Sequence, residues 1–170
     1  MNKNKSNDIQ HLKHMLAEIL PYCTVECHEI QEWTFNNSKV SFNFKWEKEA
    51  SPIIFENKIF LEKCEKDYSV YMSGWFGGES LVKVDGKSFG EINVFHKEVN
   101  LSSFADGKEH IIQVCTVPRG LFGTKEEAVF RYAHLVRYDD ELKKAVLYVN
   151  NMISIAQETE NEILSLKIVE

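Results

Sequence analysis

The stretch MSGWFGGESLVKVDGKSFGEINVFHKEVNL, residues 72–101, decides the fold of this chain. Two glycines at 77–78 interrupt one alternating run, and residues 80–84 then alternate again with the period of two that is typical of a β-strand. Asp85 and Gly86 follow directly, and this pair readily adopts the positive φ angles of a tight hairpin turn. The stretch therefore predicts an antiparallel hairpin that is entered through glycine.

Short alternating runs continue on both sides of this hairpin, from residue 22 to residue 138. The runs cover residues 23–27, 40–46, 59–61, 68–72, 80–84, 112–116 and 129–138. Turn-forming pairs separate them, among them Asn36-Asn37, Asp106-Gly107 and Arg119-Gly120. This spacing is typical of an antiparallel β-sandwich or jelly roll, so we predict a mainly β domain over residues 22–138.

Both ends of the chain change to a helical period. Residues 1–21 carry an apolar stripe that Pro21 ends, which predicts an N-terminal helix. Residues 139–170 predict a C-terminal helix that Asp139 or Asp140 can cap, with an apolar stripe at Leu142, Val146, Val149 and Ile153. That stripe needs a cover, and two covers remain open: docking onto the sandwich, or a homodimer through this helix.

Three motifs in a fixed order suggest a family. They read GESLVKVDG at 78–86, HKEVNL at 96–101 and GKEHII at 107–112. Together they resemble the N-terminal β-sandwich domain of the α-mannosidases of glycoside hydrolase family 38, over roughly residues 46–152. The resemblance implies a jelly roll of the galactose-binding-like type, followed by a helical connector that leads into the catalytic domain.

The resemblance also implies a function without catalysis in this chain. The catalytic half of the family opens with an H-x-D pair that helps to hold zinc, and it carries the nucleophilic Asp. None of the six histidines here is followed two places later by Asp, so no catalytic or zinc residue is assigned and no cofactor is expected in this chain. Its partner would be an α-mannosidase catalytic domain, in the same or a neighbouring chain. The alternative is an autonomous carbohydrate-binding module of jelly-roll type.

The residues themselves offer no catalytic or metal constellation. Cys23, Cys27 and His28 form an incomplete zinc set, and Cys23 and Cys27 share one strand face, which favours buried side chains. A glycosidase needs two converging carboxylates, but Glu79 and Asp85 stand at opposite ends of one predicted strand. We therefore assign neither catalytic residues nor metal ligands.

Aromatic residues are the remaining candidates for a binding surface. Trp46 is in phase with Val40, Phe42 and Phe44, which predicts a core position. Aromatic faces stack on the apolar side of a sugar ring, and Arg can hydrogen-bond its hydroxyls. The candidate sugar-binding or domain-interface residues are Trp75, Phe76, Arg119 and Phe122.

Composition narrows the partners and the compartment. The 170 residues carry a net charge of −6, from 20 basic and 26 acidic residues, and no basic stretch is interleaved with aromatics. Nucleic acid is therefore not expected as a partner. No apolar run approaches the ~20 residues of a membrane span, and the start lacks the apolar core of a signal peptide. Four scattered cysteines agree with a reducing compartment, so we expect a cytoplasmic protein.

Overall fold

The computed structural model describes residues 3–46, 52–120 and 123–158. The chain divides into two compact units. Residues 26–137 form one unit, and the two ends of the chain, up to residue 25 and from residue 138, form the other. The last part of the predicted connector, residues 159–170, lies outside the described residues.

Two helices and twelve strands make up the described elements. The helices are α1 (Lys3–Ile19) and α2 (Asp140–Glu158), with 3-10 turns at Leu20–Cys23 and Ser102–Phe104. The strands are β1 (Thr24–Glu29), β2 (Thr34–Phe35), β3 (Ser38–Lys39), β4 (Phe44–Lys45), β5 (Ile53–Leu61), β6 (Tyr68–Trp75), β7 (Glu79–Val84), β8 (Lys87–Ile92), β9 (Glu98–Asn100), β10 (Lys108–Val117), β11 (Val129–Phe130) and β12 (Tyr132–Asp139).

The strands form two main sheets. One has six strands in the order β3-β2-β5-β10-β7-β8, the other has four in the order β1-β12-β6-β9, and β4 pairs with β11. In the larger sheet β10 runs antiparallel to both neighbours, so that Val114 lies opposite Phe55 on β5 and Val82 on β7. The predicted class, a mainly β antiparallel sandwich with a helix at each end, is confirmed.

An aromatic cluster fills the sandwich core. On β5 every second side chain is buried, which brings Phe55 into this core. Trp33, Phe76 and Phe130 join it, and all four side chains are fully buried. Burying one such ring removes ~150–250 Å² from water, about 4–6 kcal/mol of transfer free energy as an upper estimate. The core therefore depends on these few rings.

The hairpin at the centre of the sequence argument forms as predicted. Lys87 pairs with Val84 across the β7–β8 turn, and Asp85 and Gly86 have φ angles of 49° and 78°. Two positive φ angles are the signature of a type I′ turn, whose twist matches that of the strands. At the entry to β7, a Cβ on Gly78 would lie 1.9 Å from the carbonyl oxygen of Val117. Only glycine allows this approach.

The run at residues 40–46 is not the single strand that its alternation suggested. β3 ends at Lys39, and β4 covers only Phe44–Lys45. Asn43 interrupts the run because it adopts a φ of 66°. Trp46 is nevertheless 7% exposed and its indole Nε1–H donates to the Phe76 carbonyl at 3.2 Å, so its predicted core position is confirmed.

The two terminal helices pack on each other. Ile153 and Ala156 of α2 are buried with Ile9 of α1, and Val149 lies partly buried against this cluster. The Leu142 amide donates to the Asp139 side chain at 2.9 Å, which confirms the predicted helix cap. Part of the apolar stripe of α2 is thus buried against α1. This packing is neither of the two arrangements that the sequence left open.

Neither helix has the combination of length and apolarity that a bilayer crossing requires.

Candidate functional site

The structure separates the four candidate residues. Trp75 is the last residue of β6, and its half-buried side chain lines an open cleft. Arg119 is exposed in the turn after β10, and Phe122 lies outside the described residues. Phe76 is fully buried and stacks on Phe130 at a centroid distance of 4.9 Å. The expectation that Phe76 faces a sugar or a partner domain is therefore wrong.

The alternation of side chains along β6 explains why Trp75 and Phe76 point to different sides of the sheet. Val70 and Met72 point into the core, and Phe76 continues their even-numbered series beyond the end of the strand. Trp75 belongs to the odd-numbered series with Tyr71, which is only partly buried. The signal was present in the sequence, because the strand over residues 68–72 already fixed which residues point inward.

The cleft beside Trp75 has a volume of about 390 Å³. Its lining combines two aromatic rings, an apolar side chain and four charged side chains: Trp75, Tyr132, Val94, Lys97, Glu126, Glu127 and Arg131. Sequence reasoning identified only Trp75 of this set. The others come from the β8–β9 loop and the segment around β11, which lie far from Trp75 in the sequence and reach it only through the sheet topology.

Hydrogen bonds hold the walls of the cleft in place. The Arg131 amide donates to the Trp75 carbonyl at 2.9 Å, and the Gly74 amide donates to the Lys97 carbonyl at 3.1 Å. The Arg131 guanidinium donates through Nη2 to Glu127 Oε2, also at 2.9 Å. The charged lining is therefore attached to the strand that carries Trp75, and the cleft has the fixed polar groups that a binding site needs.

A second concavity, of about 490 Å³, lies beside Trp33. The Trp33 ring is fully buried and its Nε1–H donates to the Ile30 carbonyl at 3.0 Å, so its faces belong to the core. At the rim, Lys39 and Glu32 form an exposed ion pair at 3.0 Å. Of the aromatic residues that line this concavity, Trp33 and Phe130 are fully buried and Phe42 is partly exposed. No spacing in the sequence pointed to it.

A charged cluster closes the far end of the β7–β8 hairpin. His110 is 8% exposed; its Nδ1 lies 2.7 Å from Asp85 Oδ2, and its Nε2 lies 3.2 Å from Asp106 Oδ1. The Ile111 amide also donates to Asp85 Oδ1 at 2.9 Å. We name His110, Asp85 and Asp106 the turn clasp.

The turn clasp favours the charged form of each member. The hydrogen bond that the Asp85 carboxylate accepts from His110 raises the pKa of His110 above its ordinary value, against a smaller opposing effect of burial. The pKa of Asp85 is lowered by His110 and then by the Ile111 amide, and the pKa of Asp106 is lowered by Lys108 and then by His110. When the imidazole is protonated, it can donate to both carboxylates, and the cluster then links the turn at residues 85–86 to the turn at residues 106–107.

The cysteines do not gather into a metal site. Cys23 is buried but Cys27 is exposed, so the expectation that both are buried is wrong for Cys27. Val25, which lies between them, is 48% exposed, because β1 is open to solvent along its length. Within residues 3–46, 52–120 and 123–158, no three His, Cys, Asp or Glu side chains are arranged to hold a metal ion.

No protein-family model matches this sequence, and no curated protein matches it. Among solved structures, a glycosyl hydrolase family 2 member from Bacteroides cellulosilyticus is similar, with a TM-score of 0.50 and 10% identity over 66% of this chain and 20% of that chain. The Bacteroides uniformis β-glucuronidase gives a TM-score of 0.48 and 13% identity, over 66% of this chain and 18% of that one. A β-glucuronidase from an uncultured Clostridium gives 0.47 and 12%, over 66% and 29%.

The chain thus spans less than a third of each of these three proteins. At 10% identity, the likeness to the Bacteroides cellulosilyticus structure concerns the fold alone. That enzyme belongs to family 2, whereas the sequence motifs resemble family 38.

Proposed function

We propose that this chain is a non-catalytic sandwich domain of an α-mannosidase-like glycoside hydrolase. It would support a zinc-dependent catalytic domain that hydrolyses α-mannosides and that is supplied by the same or a neighbouring chain. The observation that carries the proposal is the structural role of the three motifs. The first forms β7 and the turn that follows it, the second buries Val99 and Leu101, and the third begins β10, which pairs with β7 from Ile112 onward.

The proposal assigns no chemistry to this chain. In it, zinc belongs to the catalytic domain, and the residues described here contribute packing and position. Among the described residues the four cysteines form no disulfide bond, which supports the cytoplasm as the compartment.

One loop has the character of a contact surface for such a partner. Phe95 is 72% exposed, more than any other phenylalanine among the described residues of the sandwich. Its loop is fixed, because Asn93 Oδ1 accepts hydrogen bonds from the Phe95 amide at 2.9 Å and the His96 amide at 2.8 Å. Rigid, exposed aromatic residues are frequent anchors of protein interfaces. We propose Phe95 as a contact to the catalytic domain.

Co-expression tests this function. The partner is the catalytic domain of a family-38 α-mannosidase from which the N-terminal sandwich has been removed. We expect the two proteins to co-purify and to hydrolyse an aryl α-mannoside in a zinc-dependent manner, while the chain alone has no turnover. Phe95→Ala should weaken the complex about tenfold or more, as loss of a buried anchor does. Phe60→Ala, which removes a 54% exposed ring on another face, is the matched control.

Two results would contradict the proposal. One is α-mannosidase turnover by the chain alone that persists after host enzymes are removed. The other is the absence of any complex with the catalytic domain. If the second result came together with saccharide binding by the isolated chain, the alternative of an autonomous carbohydrate-binding module would replace the present proposal.

A further inference from the structure

We infer that the Trp75 cleft is a binding site for a neutral pyranose sugar. This inference goes beyond the proposed support role and does not depend on it, because every described residue that lines the cleft belongs to the unit of residues 26–137. It rests on the hydrogen bonding of Trp75, on the charge balance of the lining and on the fixed geometry of the walls.

Trp75 differs from the other two tryptophans in its indole N–H. The Trp33 and Trp46 indoles donate to the carbonyls of Ile30 and Phe76, at 3.0 Å and 3.2 Å. The Trp75 indole N–H forms no hydrogen bond with any of the described residues, and its ring is half-buried in the wall of the cleft. Tryptophan usually finds a partner for its N–H when one side of the ring is buried. A ligand with an apolar face and hydroxyl groups would supply both contacts.

Tyr132 provides a second aromatic wall. Its ring is stacked on the His134 imidazole at a centroid distance of 5.4 Å and an angle of 27°. One ring face is thereby covered, and the rest of the ring lines the cleft with Trp75. The C–H groups on one side of a pyranose form an apolar patch that fits such aromatic walls.

The charged groups of the lining balance each other. Among the described residues of the lining, Lys97 and Arg131 are cationic and Glu126 and Glu127 are anionic, so the formal charges of these four sum to zero. A site for an anion or a cation would carry an excess of the opposite sign. Sugar hydroxyls need both kinds of partner, because each hydroxyl can donate to a carboxylate and accept from a guanidinium or an ammonium. The lining therefore fits a neutral, polyhydroxylated ligand.

Size and rigidity agree with a short saccharide. The volume of about 390 Å³ lies at the lower end of the ~300–1,000 Å³ of small-molecule sites. The ion pair between Arg131 and Glu127 fixes two of the polar groups before a ligand arrives. Groups that are already ordered lose less conformational entropy on binding, which favours affinity.

Nuclear magnetic resonance of the indole groups tests the site directly. The chain has three tryptophans, so a ¹⁵N-labelled sample gives three indole signals, and Trp75→Phe assigns the one that belongs to the cleft. We expect methyl α-D-mannopyranoside or methyl β-D-glucopyranoside to shift the Trp75 signal saturably at about millimolar concentration. The other two signals should stay in place, because Trp33 and Trp46 are buried.

Variants separate this cleft from other surfaces. Arg131→Gln and Tyr132→Ala should each weaken binding about tenfold or more, since each removes a principal contact. Phe60→Ala should leave binding unchanged, because Phe60 lines different concavities. The unchanged positions of the Trp33 and Trp46 signals show that each variant is folded.

Several outcomes would overturn the inference. One is the absence of a saturable Trp75 shift with both neutral glycosides up to about 100 mM, since that is weaker than a millimolar site. Another is equal affinity in Arg131→Gln, Tyr132→Ala and the unaltered chain. Glucuronate that binds about tenfold more tightly than both neutral glycosides would refute the assignment to a neutral sugar.

Discussion

The two ends of β7 are fixed by different physics. At its start, Gly78 lets the chain pass so close to Val117 that a Cβ would lie 1.9 Å from the carbonyl oxygen. At its end, Asp85 is held by the His110 imidazole at 2.7 Å and by the Ile111 amide at 2.9 Å. The start of β7 requires a residue without a Cβ, and its end is held by interactions between charged side chains. A steric constraint of this kind does not respond to pH, whereas the turn clasp does.

The location of the two ends gives the difference a functional meaning. Gly77 and Gly78 directly follow Trp75, which lines the cleft, and Phe76, which lies in the core. The start of β7 therefore lies at the boundary between the cleft and the aromatic core. A steric constraint of this kind does not depend on pH or salt. The clasp end joins two turns, and its three residues are not among the described residues that line the cleft. Three sets of variants test this contrast, from the largest expected effect to the smallest.

Phe76→Ala should have the largest effect. The ring is fully buried and contacts Trp33, Phe55 and Phe130, so its removal leaves a cavity in the core. We expect the free energy of unfolding to fall by about 3–5 kcal/mol, measured by denaturant titration. The loss should be equal at about pH 6 and about pH 9, because the ring packs on other rings. A loss that differed strongly between the two pH values would mean that the glycine end and the clasp end are coupled.

Gly78→Ala and Gly86→Ala compare the two ends directly. At Gly78 the new methyl would collide with backbone, so we expect a loss of about 3 kcal/mol. At Gly86 a Cβ meets no atom within 4 Å, and the cost is only that of a φ of +78° for alanine, about 1 kcal/mol. Thermal or denaturant unfolding measures both. Equal losses would mean that backbone conformation accounts for the effect at both glycines. The close approach of Gly78 to Val117 would then not be what fixes the start of β7.

The contrast also explains how much the sequence could predict. Strand period and the Asp-Gly pair are local signals, and both the hairpin and the helix cap at Asp139 formed as expected. Strand phase would also have placed Phe76 in the core, had it been extended past the end of β6. The error came from grouping Phe76 with Trp75 as a candidate for binding, whereas the phase of β6 directs Phe76 into the core.

Other features lay beyond local signals. Asp85 and His110 are 25 residues apart, and only the register of β7 against β10, with Val84 opposite Ile112, brings them together. The charged lining of the cleft depends in the same way on sheet topology. A single sequence does not contain these pairings, because many registers satisfy the same alternation. Trp75 could be selected as a candidate from the sequence alone. Arg131 could not, because only the sheet topology brings it to the cleft.

His110→Gln should have a smaller effect that depends on pH. The pKa of His110 is raised in the folded chain, so the stability it contributes is fully present below the unfolded pKa of about 6.5 and is lost as the pH rises through the folded pKa. The pKa values of Asp85 and Asp106 are lowered, so their contributions are present above about 3.9 and are lost as the pH falls through the folded values. The turn clasp is therefore strongest between about pH 4 and pH 6.5.

Unfolding of the unaltered chain and of His110→Gln at about pH 6 and about pH 9 measures this effect. We expect the variant to be less stable at the lower pH, by a few degrees in the thermal midpoint, and to approach the unaltered chain at the higher pH. The reason is that a neutral imidazole can donate to only one of the two carboxylates. His96→Gln is the matched control, because His96 is 67% exposed beside Glu91 at 3.5 Å and should contribute little at either pH. If His110→Gln lost the same stability at both pH values, the turn clasp would be held by packing and not by charge. Both ends of β7 would then be fixed by steric contacts.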